Sequence, residues 1–284
     1  MTTPRQLRQT IPGQPTSDGA GVKLSRSIGA MPGLRVDPFL MLDEFYTDQP
    51  SDYLAGFPAH PHRGFETVTY MLDGHMQHKD HLGNTGDLSP GDVQWMTAAR
   101  GIIHSEMPQQ TEGRMRGFQL WLNLPAAEKM KPASYRDIPS AQIPSAPLDG
   151  GGTARVIAGQ LVQDTGVTVG PVSGGTTDPL YFDLHVDANA QVSVPVSSGH
   201  NAFVYLYEGS ASIDERPIAL RGAALLSDGD ALLVRAGESG ARMLLIAGKP
   251  LHEPVVQYGP FVMNTREQIE QALADYQSGN FGRS

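Results

Sequence analysis

No apolar run in this chain outlasts a short strand, and nothing else in the sequence limits the fold as tightly. The runs "ETVTYML", "DVQWMT", "GFQLWLNL", "LYFDLHV", "NAFVYLY", "DALLVRA" and "RMLLIAG" each fit a strand of about five to eight residues. Between them stand "LDGH", "HLGNTG", "SPGD", "LYEGS", "SIDERP" and "SDGD", where Gly, Asn, Asp and Pro supply the backbone angles of tight turns. The 32 glycines and 22 prolines are spread along the chain, so they mark many turns rather than a disordered tract. Short strands at this spacing predict an all-β chain built as sandwiches or barrels.

One stretch breaks the pattern. In "NTREQIEQALADYQSGN", Thr265 is placed as an N-cap with Gln268 three residues on, and Ile269, Leu273 and Tyr276 share a face. Gly279 is the stop, so a short C-terminal helix is expected over about 265–277. A shorter helical turn is expected near Pro125 to Pro132.

The segment "RDIPSAQIPSAPLDGGGTA" is rich in Pro, Ser and Gly and reads as a connection. It sets the expected domains at 1–137 and 152–284, with 138–151 as linker. The two halves echo each other. "TYMLDG" from Thr69 returns as "VYLYEG" from Val204, an offset of 135, and "PGDVQWMTA" from Pro90 returns as "DGDALLVRA" from Asp228, an offset of 138. A duplicated β-domain explains both.

Composition narrows the chemistry. The net charge of −9 argues against direct binding to nucleic acid or anionic lipid. The absence of cysteine removes disulfides, thiolate metal sites and a Cys nucleophile. No apolar stretch is long enough to span a membrane, and the first residues lack the apolar core of a secretory signal. A cytoplasmic protein is the expectation. Neither a phosphate-cradling glycine loop nor a Ser nucleophile elbow is present.

What remains is histidine. In "FPAHPHRGFETVTYMLDG", His60 and His62 are two apart, and alternation along an extended segment gives His60, His62, Glu66, Val68, Tyr70 and Leu72 one face. In "RGIIHSEM", His104 and Glu106 share a face in the same way. A lone histidine is more often a hydrogen-bonded core residue than a ligand. Two such pairs on a β-rich chain instead give four donors of N3O type, suited to Fe(II), Mn, Ni, Cu or Zn. Glu66 competes with Glu106 for the carboxylate position, and spacing alone leaves that open. Glu66 also suits a hydrogen-bonding partner of a ligand, or a base near substrate. The cluster "HMQHKDH", His75 to His81, lies among turn signals and reads as a solvated hairpin.

"DPFLMLDEF", "HPHRGFETVTYMLDG", "HKDHLGNTG", "PGDVQWMTAARGIIHSEMP" and "PLHEPVVQYGPFVMNTREQIEQALADYQSGNFG" together resemble the pirin family of the cupin superfamily. The resemblance covers nearly the whole chain and is weakest from about residue 135 to 225. It implies two cupin (jelly-roll) β-barrels in tandem, with metal in the N-terminal one only. It implies His60, His62, His104 and Glu106 as ligands and iron as the usual metal, although the general cupin pattern would make Glu66 a ligand. In the second half, Pro195, Ser197 and Asn201 stand at the positions of His60, His62 and Glu66, which agrees with a barrel that holds no metal.

For function the resemblance implies an iron-dependent quercetin 2,3-dioxygenase-like oxidoreductase, which opens the central ring of a flavonol with dioxygen and releases carbon monoxide. Glu106, or Glu66 nearby, would take the hydroxyl proton. The alternative it implies is a non-catalytic iron-binding regulatory protein whose partner is a transcription factor or a metabolic enzyme. A metal-bound cupin without turnover is the third reading.

Overall fold

The strands gather into sheets that are almost wholly antiparallel. The structure, a computed structural model, describes residues 2–283. Its contacts divide the chain into two units.

The histidine-bearing unit holds Pro15–Gly29, Phe39–Ser140 and the residues from Leu251 onward. Its larger sheet has seven strands, in the order Ser134–Ile138, Val93–Thr97, Phe65–Asp73, Met115–Asn123, Phe39–Thr47, Val22–Arg26 and Gln14–Asp18. Its smaller sheet runs Phe57–His62, Ile102–Pro108, Met76–Asp80, Thr85–Leu88. Leu24, Phe45, Met71 and Met115 of the larger sheet pack with Met76 and Leu88 of the smaller one in a single apolar cluster, so the two sheets face each other.

The expected continuous segment from Phe57 to Leu72 is two strands in two sheets. Between them Gly64 has φ +92°, and a Cβ there would come within 1.9 Å of the Val262 carbonyl oxygen. Only glycine permits that turn at that approach. The chain reverses its inward face here, so His62 and Glu66 do not share a face.

The second unit holds the residues through Gln14, Ala30–Pro38 and Ala141–Pro250. Its sheet centres on two long strands, Asn201–Ile213 and Ala231–Gly248, which pair along most of their length. Phe182, Leu184, Val204, Leu206, Met243 and Leu245 are buried in its core.

The expected domain limits, 1–137 and 152–284, therefore differ from the observed grouping, in which the termini are exchanged. The reason is strand pairing. Leu7–Pro12 pairs with Gly222–Leu226, and Pro4–Arg5 runs parallel to Ala231 and Leu232. At the other end, Arg63 bridges to Phe261. The expected linker is also partly structured, since Ser145–Pro147 pairs with Gly152–Ala158.

Among the described residues the one α-helix is Arg266–Gln277. Thr265 caps it, accepting from Gln268 N while the Gln268 side chain accepts from Thr265 N, the capping box anticipated from sequence. Ile269 and Ala272 are buried against Phe261, Met263 and Phe281. Near Pro125 the helical turn is a short 3-10 segment, Ala126–Glu128. No helix among the described residues is long and apolar enough to cross a membrane.

Candidate metal centre

His60 and His62 lie on the edge strand of the smaller sheet, and His104 and Glu106 on the strand beside it. Antiparallel register sets His104 directly opposite His60 and Ile102 opposite His62. Against the edge strand a bulge shifts the register between His104 and Glu106, so Glu106 pairs with Phe57; on its other side Glu106 pairs with His78 in unbroken register. All four sequence-predicted residues thus occupy one region of the sheet. Of these, His60, His62 and His104 form a group whose donor atoms lie within 4.8 Å of one another and could hold a metal ion.

The nitrogens show how well that group fits a cation. His60 Nδ1 lies 2.8 Å from the Pro58 carbonyl oxygen, so it carries the hydrogen and Nε2 is left as a bare lone pair. His60 Nε2 is only 2.9 Å from His62 Nε2. Two metal–nitrogen bonds of about 2.0–2.1 Å at a right angle would place their donor atoms about 3 Å apart. His104 Nδ1 faces His78 Nδ1 at 3.1 Å, which leaves Nε2, and that atom is buried with no hydrogen-bond partner. Burial, helped by the neighbouring imidazoles, holds His62 and His104 well below the ordinary histidine range. Their lone pairs are therefore free near neutral pH. The residues present fit a divalent ion.

Glu106 is buried. Burial pushes its carboxyl up, opposed by His60 and by the hydrogen bond that Oε1 accepts from Thr69 at 3.2 Å. Thr69 stands on the larger sheet and also lies 2.7 Å from Gln119 Oε1.

These groups open onto a cavity of about 580 Å³. His60, His62, Thr69 and Glu106 form one part of its lining, and Phe45, Phe57, Met41, Met76 and Trp121 supply apolar walls. A third part is ionic. Arg26 donates from Nε and Nη2 to the two oxygens of Asp43, both at 2.7 Å, and from Nη2 to Asp18 at 3.1 Å. Asp43 is buried, and burial raises its carboxyl more than Arg26 lowers it.

Glu66 lies elsewhere. Thr69 faces the cavity, and alternation turns Glu66 to the opposite side of the same strand. There it accepts from Thr97 Oγ1 at 2.6 Å and Trp95 Nε1 at 3.2 Å. These bonds secure a strand pair and do not reach the histidines.

Sequence reasoning missed His78. The expectation of a solvated hairpin holds for His75 and His81, but His78 is fully buried behind His104. Its signal was the alternation in "MQHKD", where Met76 and His78 share the inner face. Arg26, Asp43, Thr69 and Gln119 had no motif to reveal them.

Comparison with known proteins places these features in a family. The model of the pirin family matches residues 21–122, and that of the pirin C-terminal cupin domain matches residues 181–282. A Pseudomonas aeruginosa protein provisionally named as a quercetin 2,3-dioxygenase is 56% identical over 98% of this chain and 99% of its own. A pirin-like protein of Caulobacter vibrioides is 50% identical, covering 98% of this chain and 99% of its own. The crystal structure of quercetin 2,3-dioxygenase from Acinetobacter baumannii superposes with a TM-score of 0.89 at 32% identity, over 99% of each chain.

Proposed function

We propose, for a chain that belongs to the pirin family and carries its two cupin domains, that it is a metal-dependent dioxygenase opening the central ring of a flavonol such as quercetin, with release of carbon monoxide. His60, His62, His104 and Glu106 hold one divalent ion, iron(II) by preference, in the cytoplasm. The observation that carries this reading is the pair of Nε2 atoms of His60 and His62, 2.9 Å apart on the wall of an apolar cavity. Two bare imidazole lone pairs repel at that distance unless a cation or a proton lies between them.

When bound, the ion supplies Lewis acidity that makes a flavonol hydroxyl easier to ionise. The chain's own residues do the rest. Phe45, Phe57 and Trp121 take the flat rings and keep water from the reacting carbon. Thr69 fixes Glu106 Oε1, which leaves Oε2 to receive the hydroxyl proton. The similarity to the Acinetobacter baumannii enzyme supports this substrate class.

The test is dioxygen uptake by iron(II)-loaded protein given quercetin, beside the His104→Ala variant. Sustained uptake by the wild type and none by the variant is the expected result. No uptake by wild-type protein that demonstrably retains its iron would sink the dioxygenase reading in favour of a regulatory, partner-binding protein.

A further inference from the structure

His78 is fully buried, its ring centroid is 4.9 Å from that of His104, and the two Nδ1 atoms are 3.1 Å apart. One hydrogen must lie between those atoms, and it can belong to either ring. If His78 owns it, His104 must carry its own hydrogen on Nε2, and that nitrogen cannot bind a cation. If His104 owns it, Nε2 is a lone pair. The two arrangements differ only in which imidazole donates, so His78 governs whether His104 is a ligand.

We infer that His78 is a positioning residue that accepts the Nδ1 hydrogen of His104, fixing the His104 tautomer and ring angle so that Nε2 faces His60 and His62. This rests on the ligand role proposed for His104.

The surroundings favour His78 as acceptor. Its Nδ1 is engaged by His104 Nδ1 at 3.1 Å, and it stands behind His104 and outside the His60, His62 and His104 group. Its strand pairs with the ligand strand over Met76–Asp80, and His78 is the direct cross-strand neighbour of Glu106. It is therefore fixed by the same backbone ladder that fixes the ligands. The Tyr135 ring also packs against it, 5.3 Å away by centroid. A ligating histidine usually gives its second N–H to a carboxylate or a backbone carbonyl. Here a neutral imidazole takes that place, which orients His104 without adding a negative charge beside Glu106.

The test uses the full chain and two variants of similar bulk. His78→Asn places a side-chain oxygen where Nδ1 stood and retains an acceptor. His78→Leu places a methyl group there. Nickel(II) affinity is measured by competition with a chromophoric chelator, and the His104 tautomer of the metal-free protein is read by nitrogen-15 NMR of the imidazoles. Wild-type His104 should carry its hydrogen on Nδ1. His78→Leu should weaken nickel binding about tenfold to a hundredfold and shift the hydrogen toward Nε2, and His78→Asn should recover most of both. Wild-type His104 with its hydrogen on Nε2, or a leucine variant that binds nickel as tightly as wild type, overturns the inference. So does an asparagine variant no better than leucine. Failure of the wild type itself to bind nickel would instead overturn the ligand assignment on which the inference rests.

Discussion

The Thr69 hydroxyl donates to Oε1 of Glu106 across 3.2 Å, a bond that joins the two facing sheets at the back of the cavity. A hydroxyl has one hydrogen, and Gln119 Oε1, 2.7 Å from the Thr69 hydroxyl, is a second acceptor that shares it with the carboxylate.

Thr69→Val keeps the shape of the side chain and removes the donor. The metal should bind about tenfold more weakly with little change in the fold, because the carboxylate is no longer held in one rotamer. Thr69→Ser should restore most of the affinity. A chelator competition that gives equal affinity for threonine and valine would refute this.

Arg26 and Asp43 form an ion pair at the cavity wall, and the Asp43 side chain is only 3% exposed. Arg26→Met leaves that carboxylate buried without its partner and should cost about 3 kcal/mol in urea unfolding. The double variant with Asp43→Asn should recover a good part of the loss, because the uncompensated charge is gone. A double variant no more stable than Arg26→Met alone would show that the pair is not what stabilises this wall.

Lys129 is buried, and its ammonium donates to Gly64 O, Asn123 Oδ1 and Val262 O at 2.6, 2.6 and 2.9 Å. Burial lowers its pKa from 10.5 to about 8. Between those values the unfolded chain binds the proton and the folded chain does not, so this residue's contribution to stability rises with pH across that window. Lys129→Met strands three acceptors and should cost about 3 kcal/mol at pH 7. The gap between wild type and variant should widen from pH 7 to pH 10. A gap that narrows would contradict the direction of the shift.

Gly64→Ala meets the Val262 carbonyl at a distance no methyl group can occupy, with φ at +92° besides. A loss of more than about 3 kcal/mol is expected, together with loss of the bound metal, since the turn follows His62 by two residues. Thermal unfolding with and without nickel(II) checks both. A variant that still gained stability from the metal would show that the turn can relax without moving His62.

His60, His62 and His104 could be grouped from sequence because a spacing of two on a strand puts both members of a pair on one face, whatever the partner strand is; Glu106 stands on the same strand as His104 but outside the group whose donor atoms converge. The C-terminal helix was legible for a similarly local reason, the capping box at Thr265 and Gln268. Glu66 was misplaced because the face of a strand can be followed only until the chain turns, and the turn at Gly64 depends on Val262, almost two hundred residues away. His78 was hidden by its neighbours. His75, Lys79 and His81 are outward or exposed, and the Met76–His78 alternation is too short to outweigh them before the pairing with Ile102–Pro108 is known. The exchange of terminal segments left no local mark in the sequence.

That exchange sets an order of events during translation. The turn that follows His62 is held by Val262, by Asp275, which pairs with Arg63 at 2.7 Å, and by Phe281, whose ring lies 4.5 Å under the Arg63 guanidinium. A ribosome must therefore synthesise all of Ala141–Pro250 after the four candidate ligands have emerged and before their support exists. Until Val262, Asp275 and Phe281 have been made, the turn after His62 lacks these contacts, so ion capture at full strength waits for that segment.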